Sequence, residues 1–290
     1  MKKRKRRGCL ARLLGRLIRL ALVLCLLCYP LLEPYLLTVE RQTLAFSDLP
    51  PAFDGLRVAF LSDIHWGPFF SQERLDRLVQ RVNNLRPDLV LLGGDYADDS
   101  DAAVAFFEQR PAFSARLGVY AVAGNHDRVM PESNRAALEA AMTAAGVTPL
   151  FNCAAPLILS GQSIYIAGID DYGNGHPDVY AASRGLRADD FVIFLSHNPD
   201  VIPTLADVPC ADGSTRWADL ILCGHTHGGQ LTLFGRRAIM PVNAYGERYR
   251  TGWKQENGAQ ILISNGVGTS VVPMRFFAPP QIHLLTLTCK

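Results

Sequence analysis

Five apolar runs in this chain each end in Asp, His or Asn. RVAFLS (57–62) leads into Asp63-Ile64-His65, and DLVLLGG (88–94) into Asp95. VYAVAG (119–124) leads into Asn125-His126-Asp127, FVIFLS (191–196) into His197-Asn198, and DLILCG (219–224) into His225-Thr226-His227. Neutral imidazole and carboxylate form a donor set that suits Zn, Mn and Fe without any Cys. Asp-x-His and His-x-His put alternate residues on one side of an extended segment, so both can aim at one centre. Seven donors (Asp63, His65, Asp95, Asn125, His197, His225 and His227) are too many for one tetrahedral ion. One carboxylate shared by two divalent ions resolves the count, and two ions ~3.5–4 Å apart can clamp a phosphate and activate a water. Each element alone has a plainer use: an Asp after a strand often caps a helix, and a lone His is often a satisfied structural residue. The five together are not easily explained that way.

The elements that must position these residues can be read from periodicity. Arg57–Ser62, Asp88–Leu92, Leu117–Ala123, Phe191–Leu195 and Leu220–Cys223 read as strands, and Ser71–Leu85, Asp101–Ala115 and Glu132–Ala145 as helices. Leu157–Leu159, Ser163–Ala167, Gln230–Leu233, Ile261–Ser264 and Ile282–Leu287 read as further strands. The α/β alternation of the first half predicts parallel βαβ units, and the strand-rich second half predicts a second sheet packed on the first. The carboxyl edge of such sheets is where sites form.

The 290 residues are 49% apolar and 19% charged, enough for a sizeable core. The formal net charge of +2 hides an asymmetry. Nine Lys and Arg fall within residues 2–19, and the remainder carries 20 basic against 27 acidic groups. An acidic body lacks the basic track a nucleic-acid binder needs, so no nucleic-acid partner is expected. The basic tip precedes LALVLCLLCYPLL (20–32), an uncharged stretch that Arg12, Arg16 and Arg19 can extend by snorkelling. No small-residue cleavage signal follows. Residues 1–37 are therefore read as a basic N-terminus with a membrane anchor helix, 38–55 as a connector and 56–290 as the catalytic domain. The positive-inside rule puts the catalytic domain outside the cytoplasm. The alternative is a monotopic helix lying on the cytoplasmic face. Cys153, Cys210, Cys223 and Cys289 contain no CxxC pair, and sequence does not choose a disulfide among them.

The set Asp63-Ile64-His65, Gly94-Asp95, Gly124-Asn125-His126-Asp127, His197 and Gly224-His225-Thr226-His227 resembles the five-motif pattern of calcineurin-like metallophosphoesterases over roughly residues 56–287. The flavour of GNHD, SHNPD, CGHTHGGQ and RFFAPP is similar to a bacterial, membrane-associated branch. That branch includes exported phosphodiesterases and an enzyme that splits UDP-2,3-diacylglucosamine. The resemblance implies an α/β fold: a four-layer αββα sandwich of two mixed sheets flanked by helices, with the N-terminal membrane helix outside it. It implies one metal held by Asp63, His65, Asp95 and His227, a second by Asp95, Asn125, His197 and His225, and Asp95 as the bridge. His126 would serve the phosphate as catalytic acid or stabiliser, and Asp127 would orient His126. The implied reaction is hydrolysis of a phosphodiester or pyrophosphate by attack of metal-bound hydroxide. Two divalent ions (Mn, Zn or Fe) are the cofactors, and a phosphorylated small molecule or lipid-linked substrate, of the UDP-2,3-diacylglucosamine type, is the partner. Alternatives are a tethered general phosphomonoesterase or nucleotide phosphodiesterase, and a non-catalytic metal-stabilised scaffold. Around the motifs, Arg128 is a candidate phosphate contact or an exposed loop residue. Trp66, Phe69 and Phe70 are candidates for a pocket lining or ordinary packing. Arg275-Phe276-Phe277 is a candidate membrane-facing or active-site rim, and His176 and His283 read as structural.

Overall fold

The computed structural model describes residues 2–128 and 133–290, with side chains described from Arg12 onward except at Ser133. A long helix, α1 (Lys2–Leu32), comes first, and the span Arg12–Tyr35, which continues into the 3-10 turn Glu33–Tyr35, is long and apolar enough to cross a membrane. The basic residues 2–7 lie outside the described side chains. The elements that follow are β1 (Thr38–Phe46), β2 (Leu56–Leu61), α2 (Gln72–Asn84), β3 (Leu89–Leu92), α3 (Ser100–Gln109), β4 (Val119–Ala121), α4 (Ser133–Ala144) and β5 (Val147–Pro149). The second half adds β6 (Cys153–Leu159), β7 (Gln162–Gly168), α5 (Val179–Ser183), β8 (Val192–Ser196), β9 (Leu220–Cys223), β10 (Gly252–Glu256), β11 (Ala259–Ile263) and β12 (Gln281–Cys289).

Two six-stranded mixed sheets form, in the orders β1-β12-β2-β3-β4-β5 and β10-β11-β9-β8-β7-β6. The central strands β3 (LVLL) and β9 (LILC) are apolar at every position, and β2 and β8 nearly so, because both faces of each sheet are covered there. In β2, Val58 and Phe60 turn toward the second sheet, while Ala59 and Leu61 pack under α2 and α3. In β8, Ile193 and Leu195 meet the first sheet, while Val192 and Phe194 face outward onto Trp217 and Leu205. The layers are therefore αββα. The second outer layer is thin, because it consists of five-residue α5 and a 3-10 turn at Pro199–Asp207.

Two expectations are corrected. Residues 38–55 are not a connector: β1 pairs in parallel with β12 from Thr38↔Gln281 to Phe46↔Cys289 and closes the first sheet. Only its last residues alternate, with Leu44 and Phe46 buried around Ala45, and Glu40, Arg41 and Gln42 make the rest too polar to stand out beside the central strands. Residues 230–233 form no ladder strand. They make isolated bridges, Leu231↔Phe276 and Thr232↔Ala238, in a short hairpin. The six described cysteines are free.

Candidate metal centre

The parallel strands β2, β3 and β4 are neighbours in one sheet, and β8 and β9 in the other. Their carboxyl ends therefore bring the five motifs together. Asp63 and His65 leave β2, Asp95 leaves β3, and Asn125 and His126 leave β4. His197 leaves β8, and His225 and His227 leave β9. Asp63, His65, Asp95, His225 and His227 all adopt positive φ, between 48° and 70°. Left-handed backbone at non-glycine residues costs energy and persists where the surrounding structure enforces it, typically at functional sites. Gly224 shows part of that enforcement, since a Cβ there would lie 2.5 Å from both Asp63 Oδ2 and Ser62 Oγ.

The donor atoms converge in two groups. His65 Nε2 lies 3.1 Å from His227 Nε2 and 3.6 Å from Asp95 Oδ2, and His227 Nε2 lies 3.5 Å from Asp63 Oδ1. On the other side of Asp95, His197 Nε2 lies 3.2 Å from Asp95 Oδ2 and 3.2 Å from Asn125 Oδ1. His225 Nδ1 is 2.8 Å from Asn125 Oδ1 and 3.3 Å from His197 Nε2. Donors held ~2.1 Å from a tetrahedral ion stand about 3.4 Å apart, close to the spacings of 2.8 Å to 3.6 Å found in the two groups. Asp95 Oδ2 is common to the two.

The remaining ring nitrogens agree with this use. His65 Nδ1–H donates to Asp98 Oδ1 (2.9 Å) and His197 Nδ1–H to the Gly93 carbonyl (2.8 Å), so that in the neutral ring, the form that binds a metal, the lone pair is on Nε2. Burial opposes charge on His197, but Asp95 outweighs it and holds the His197 pKa well above the usual imidazole range. Burial, then His65 and Arg275, drives His227 well below that range. Burial alone would raise the Asp95 acid, yet His197 keeps it far below the ordinary carboxylate value. Buried carboxylates and facing imidazoles at these distances suit a cation, and the residues present fit divalent metal binding.

A model of the calcineurin-like phosphoesterase family matches residues 56–229. The chain belongs to that family. The metallophosphoesterase YkuE of Bacillus subtilis is 33% identical over 264 residues, covering 88% of this chain and 87% of that protein. Phosphodiesterase YaeI of Escherichia coli is 31% identical over 268 residues, covering 88% and 90%. A transmembrane protein with a metallophosphoesterase domain from Danio rerio is 29% identical over 255 residues, covering 82% of this chain and 54% of that protein. The chain is thus a metal-dependent phosphoester hydrolase.

Within this phosphoesterase, the role expected for Asp127 is corrected. Its carboxylate is fully buried and accepts from the backbone N–H groups of Asp95 (2.8 Å), Tyr96 (3.0 Å) and Gly124 (2.8 Å). It ties the β3 and β4 loops together and does not reach the His126 ring. His126 Nδ1–H donates instead to the Asp98 carbonyl (3.1 Å), while the His126 backbone N–H donates to Asp95 Oδ1 (2.9 Å). Asp98 therefore serves two histidines, one through its side chain and one through its carbonyl. Nothing in a lone GDYADD sequence distinguishes it from a loop acid.

Arg128 is also not an exposed loop residue, since it is buried against Asp170, with Nε 2.9 Å from Oδ1 and Nη2 3.1 Å from Oδ2. Phe70 is core, Trp66 packs against the same cluster, and Phe69 is exposed. His283 is buried with Nε2 3.1 Å from Ser264 Oγ, and burial lowers its pKa to about 4. His176 sits in the 172–178 loop, where its carbonyl accepts from Asn152. Arg275 is fully buried and donates to the carbonyls of His227 (3.3 Å), Asn265 (2.7 Å) and Ala278 (2.7 Å), fixing the loops beside the centre. A cavity of about 400 Å³ opens over the donors, with Asp95, Asn125 and His126 on its floor and Leu231, Ile239 and Met240 on one wall.

Proposed function

We propose that this chain hydrolyses a phosphodiester or pyrophosphate bond at a two-metal centre, acting on an amphiphilic, lipid-linked substrate at a membrane. The observation that carries the reading is the convergence of seven donor side chains into two groups that share Asp95 Oδ2. Asp63, His65, Asp95 and His227 would hold one divalent ion, and Asp95, Asn125, His197 and His225 the other. When bound, such a pair supplies a water of lowered pKa and positive charge for the phosphoryl oxygens. His126, with Nδ1–H held by the Asp98 carbonyl, keeps Nε2 for the substrate: as the imidazolium it would donate the Nε2 proton to the leaving oxygen, or it would stabilise the phosphoryl group. Asp127 and Arg275 keep the loops in place without touching substrate.

The apolar cavity wall supports a substrate with an apolar portion. The apolar helix and the relative named as a transmembrane protein support a membrane location. The basic residues before the apolar stretch favour a cytoplasmic N-terminus and an extracytoplasmic domain. Digestion of the domain by protease added outside intact spheroplasts tests that orientation, and protection would reverse it.

The reaction is tested on the full chain in detergent, stripped of metal and reloaded with Mn²⁺, with bis(p-nitrophenyl) phosphate beside p-nitrophenyl phosphate. Metal-dependent diester turnover that Asp95→Asn abolishes, with loss of bound metal, is the expected result. Turnover of the monoester alone would favour the general phosphomonoesterase. Retention of two metals without turnover on either ester, or on any lipid-linked diester, would favour the scaffold.

A further inference from the structure

The hairpin that follows the His225-Thr226-His227 motif presents an apolar surface to solvent. Residues 231–240 read LTLFGRRAIM. Leu233 N–H donates to the Arg237 carbonyl (2.7 Å), and the Thr232↔Ala238 bridge closes the pair. Leu233, Phe234, Ile239 and Met240 project into solvent, Met240 at 72% exposure, and Val271 on the neighbouring loop reaches 89%. Arg236 and Arg237 are exposed at the hairpin tip. Exposed apolar side chains clustered on one edge mark an interaction surface. Combined with paired cations, they have the composition of a segment that enters the headgroup–acyl boundary of a bilayer.

The position of the hairpin selects the occupant. Phe234 packs on Phe276 (5.8 Å between ring centroids) and Phe277 (5.5 Å), and Tyr29 of α1 packs on the same two rings (6.1 and 5.5 Å). The Arg275 N–H donates to the Pro30 carbonyl (2.9 Å). Tyr29 lies inside the apolar span Arg12–Tyr35, so side chains packed on it sit level with the last turns of that span. Aromatic residues at that depth are the usual occupants of a membrane interface. On another side of the α1 exit, Arg74 stacks over Tyr35 (4.6 Å), and Arg77 and Arg81 line the cavity between them, adding cations at headgroup height.

We propose that the 231–240 hairpin, with Val271 and Phe277, seats in the surface of the lipid bilayer that α1 enters, so that the mouth of the metal cavity opens at the boundary between headgroups and acyl chains. Ile239 and Met240 belong both to this surface and to the cavity wall. A substrate could then pass from the membrane to the donors with its apolar portion kept out of water throughout. The proposal rests on α1 entering a bilayer and not on the reaction assigned to the centre, so it stands or falls separately from hydrolysis.

The test uses the full chain in vesicles of equimolar phosphatidylcholine and phosphatidylglycerol, with and without acyl-brominated lipid. Leu233→Trp and Phe234→Trp each place a reporter on the hairpin. Both positions are exposed and off the cavity wall. The expected result is that the added emission is blue-shifted and quenched by bromine at least about two-fold more than that of Trp66, Trp217 and Trp253. Added emission that is unshifted and unquenched in both variants, with α1 shown to be inserted by resistance to alkaline extraction, would overturn the proposal. A blue shift without bromine quenching would also overturn it, pointing to a protein partner on this surface.

Discussion

His126 and Asp127 are adjacent in sequence and do different jobs, and the difference can be measured. His126 touches the cavity but belongs to neither donor group as drawn, so His126→Ala should leave metal content unchanged and lower kcat by about 10²–10⁴-fold, the usual worth of a positioned acid or base. Asp127 accepts three backbone N–H groups from the loops that carry Asp95 and Asn125. Asp127→Ala strands those buried donors, at about 1–3 kcal/mol for each group left unsatisfied. It should appear as a lower thermal midpoint and weaker metal retention. If Asp127 only oriented His126, the double variant would be no worse than His126→Ala alone. Independent roles predict that the double variant shows the kinetic loss of one and the metal loss of the other, read by kcat and by metal analysis of the same preparation.

At the scale of elements, the central strands were legible because burial on both faces leaves them uniformly apolar, and the donors were legible because each interrupts such a run at its carboxyl end. β1 was not legible as part of the sheet, since an edge strand needs only some apolar positions and Glu40, Arg41 and Gln42 obscure its period. Asp98 was invisible for another reason: its role depends on the loop bringing its carboxylate to His65 and its carbonyl to His126, which no spacing records. The thin outer layer on the second sheet escaped because a 3-10 turn of nine residues has no helical period to read. Gly224 is constrained sterically, which no motif spacing records. Gly224→Ala would drive a methyl into Asp63 and Ser62, so the β9 loop must move away from the centre. We expect activity to fall at least about tenfold while thermal stability drops by only about 1–3 kcal/mol, the range for overpacking. Retention of full activity in Gly224→Ala would show that the loop can shift without displacing the donors.

For the whole molecule, the end of α1 is built into the catalytic body rather than hung from it. Glu33 is fully buried, and its carboxylate accepts from the N–H groups of Phe277 (2.7 Å) and Ala278 (2.8 Å). The same turn carries Arg275, whose buried guanidinium supports the His227 carbonyl. Burial lowers the Arg275 pKa to about 10, and the charges that hold it up are Asp63 first and Glu33 second. Pro34 adds a carbonyl that accepts from Arg74 (2.8 Å). A chain beginning at residue 33 keeps these contacts, whereas one beginning at residue 38 loses those made by Glu33 and Pro34 while sparing every strand. The shorter chain leaves two amides to water and one buried cation with a single compensating charge, Asp63, which is itself a candidate ligand. It should melt earlier, by roughly 1–3 kcal/mol, and retain less metal on dialysis than the chain from residue 33. Glu33→Gln in the full chain, which keeps an acceptor but removes the charge, should fall between them. Equal melting and equal metal retention for the chains from 33 and 38 would mean that the membrane-proximal segment is a tether and nothing more.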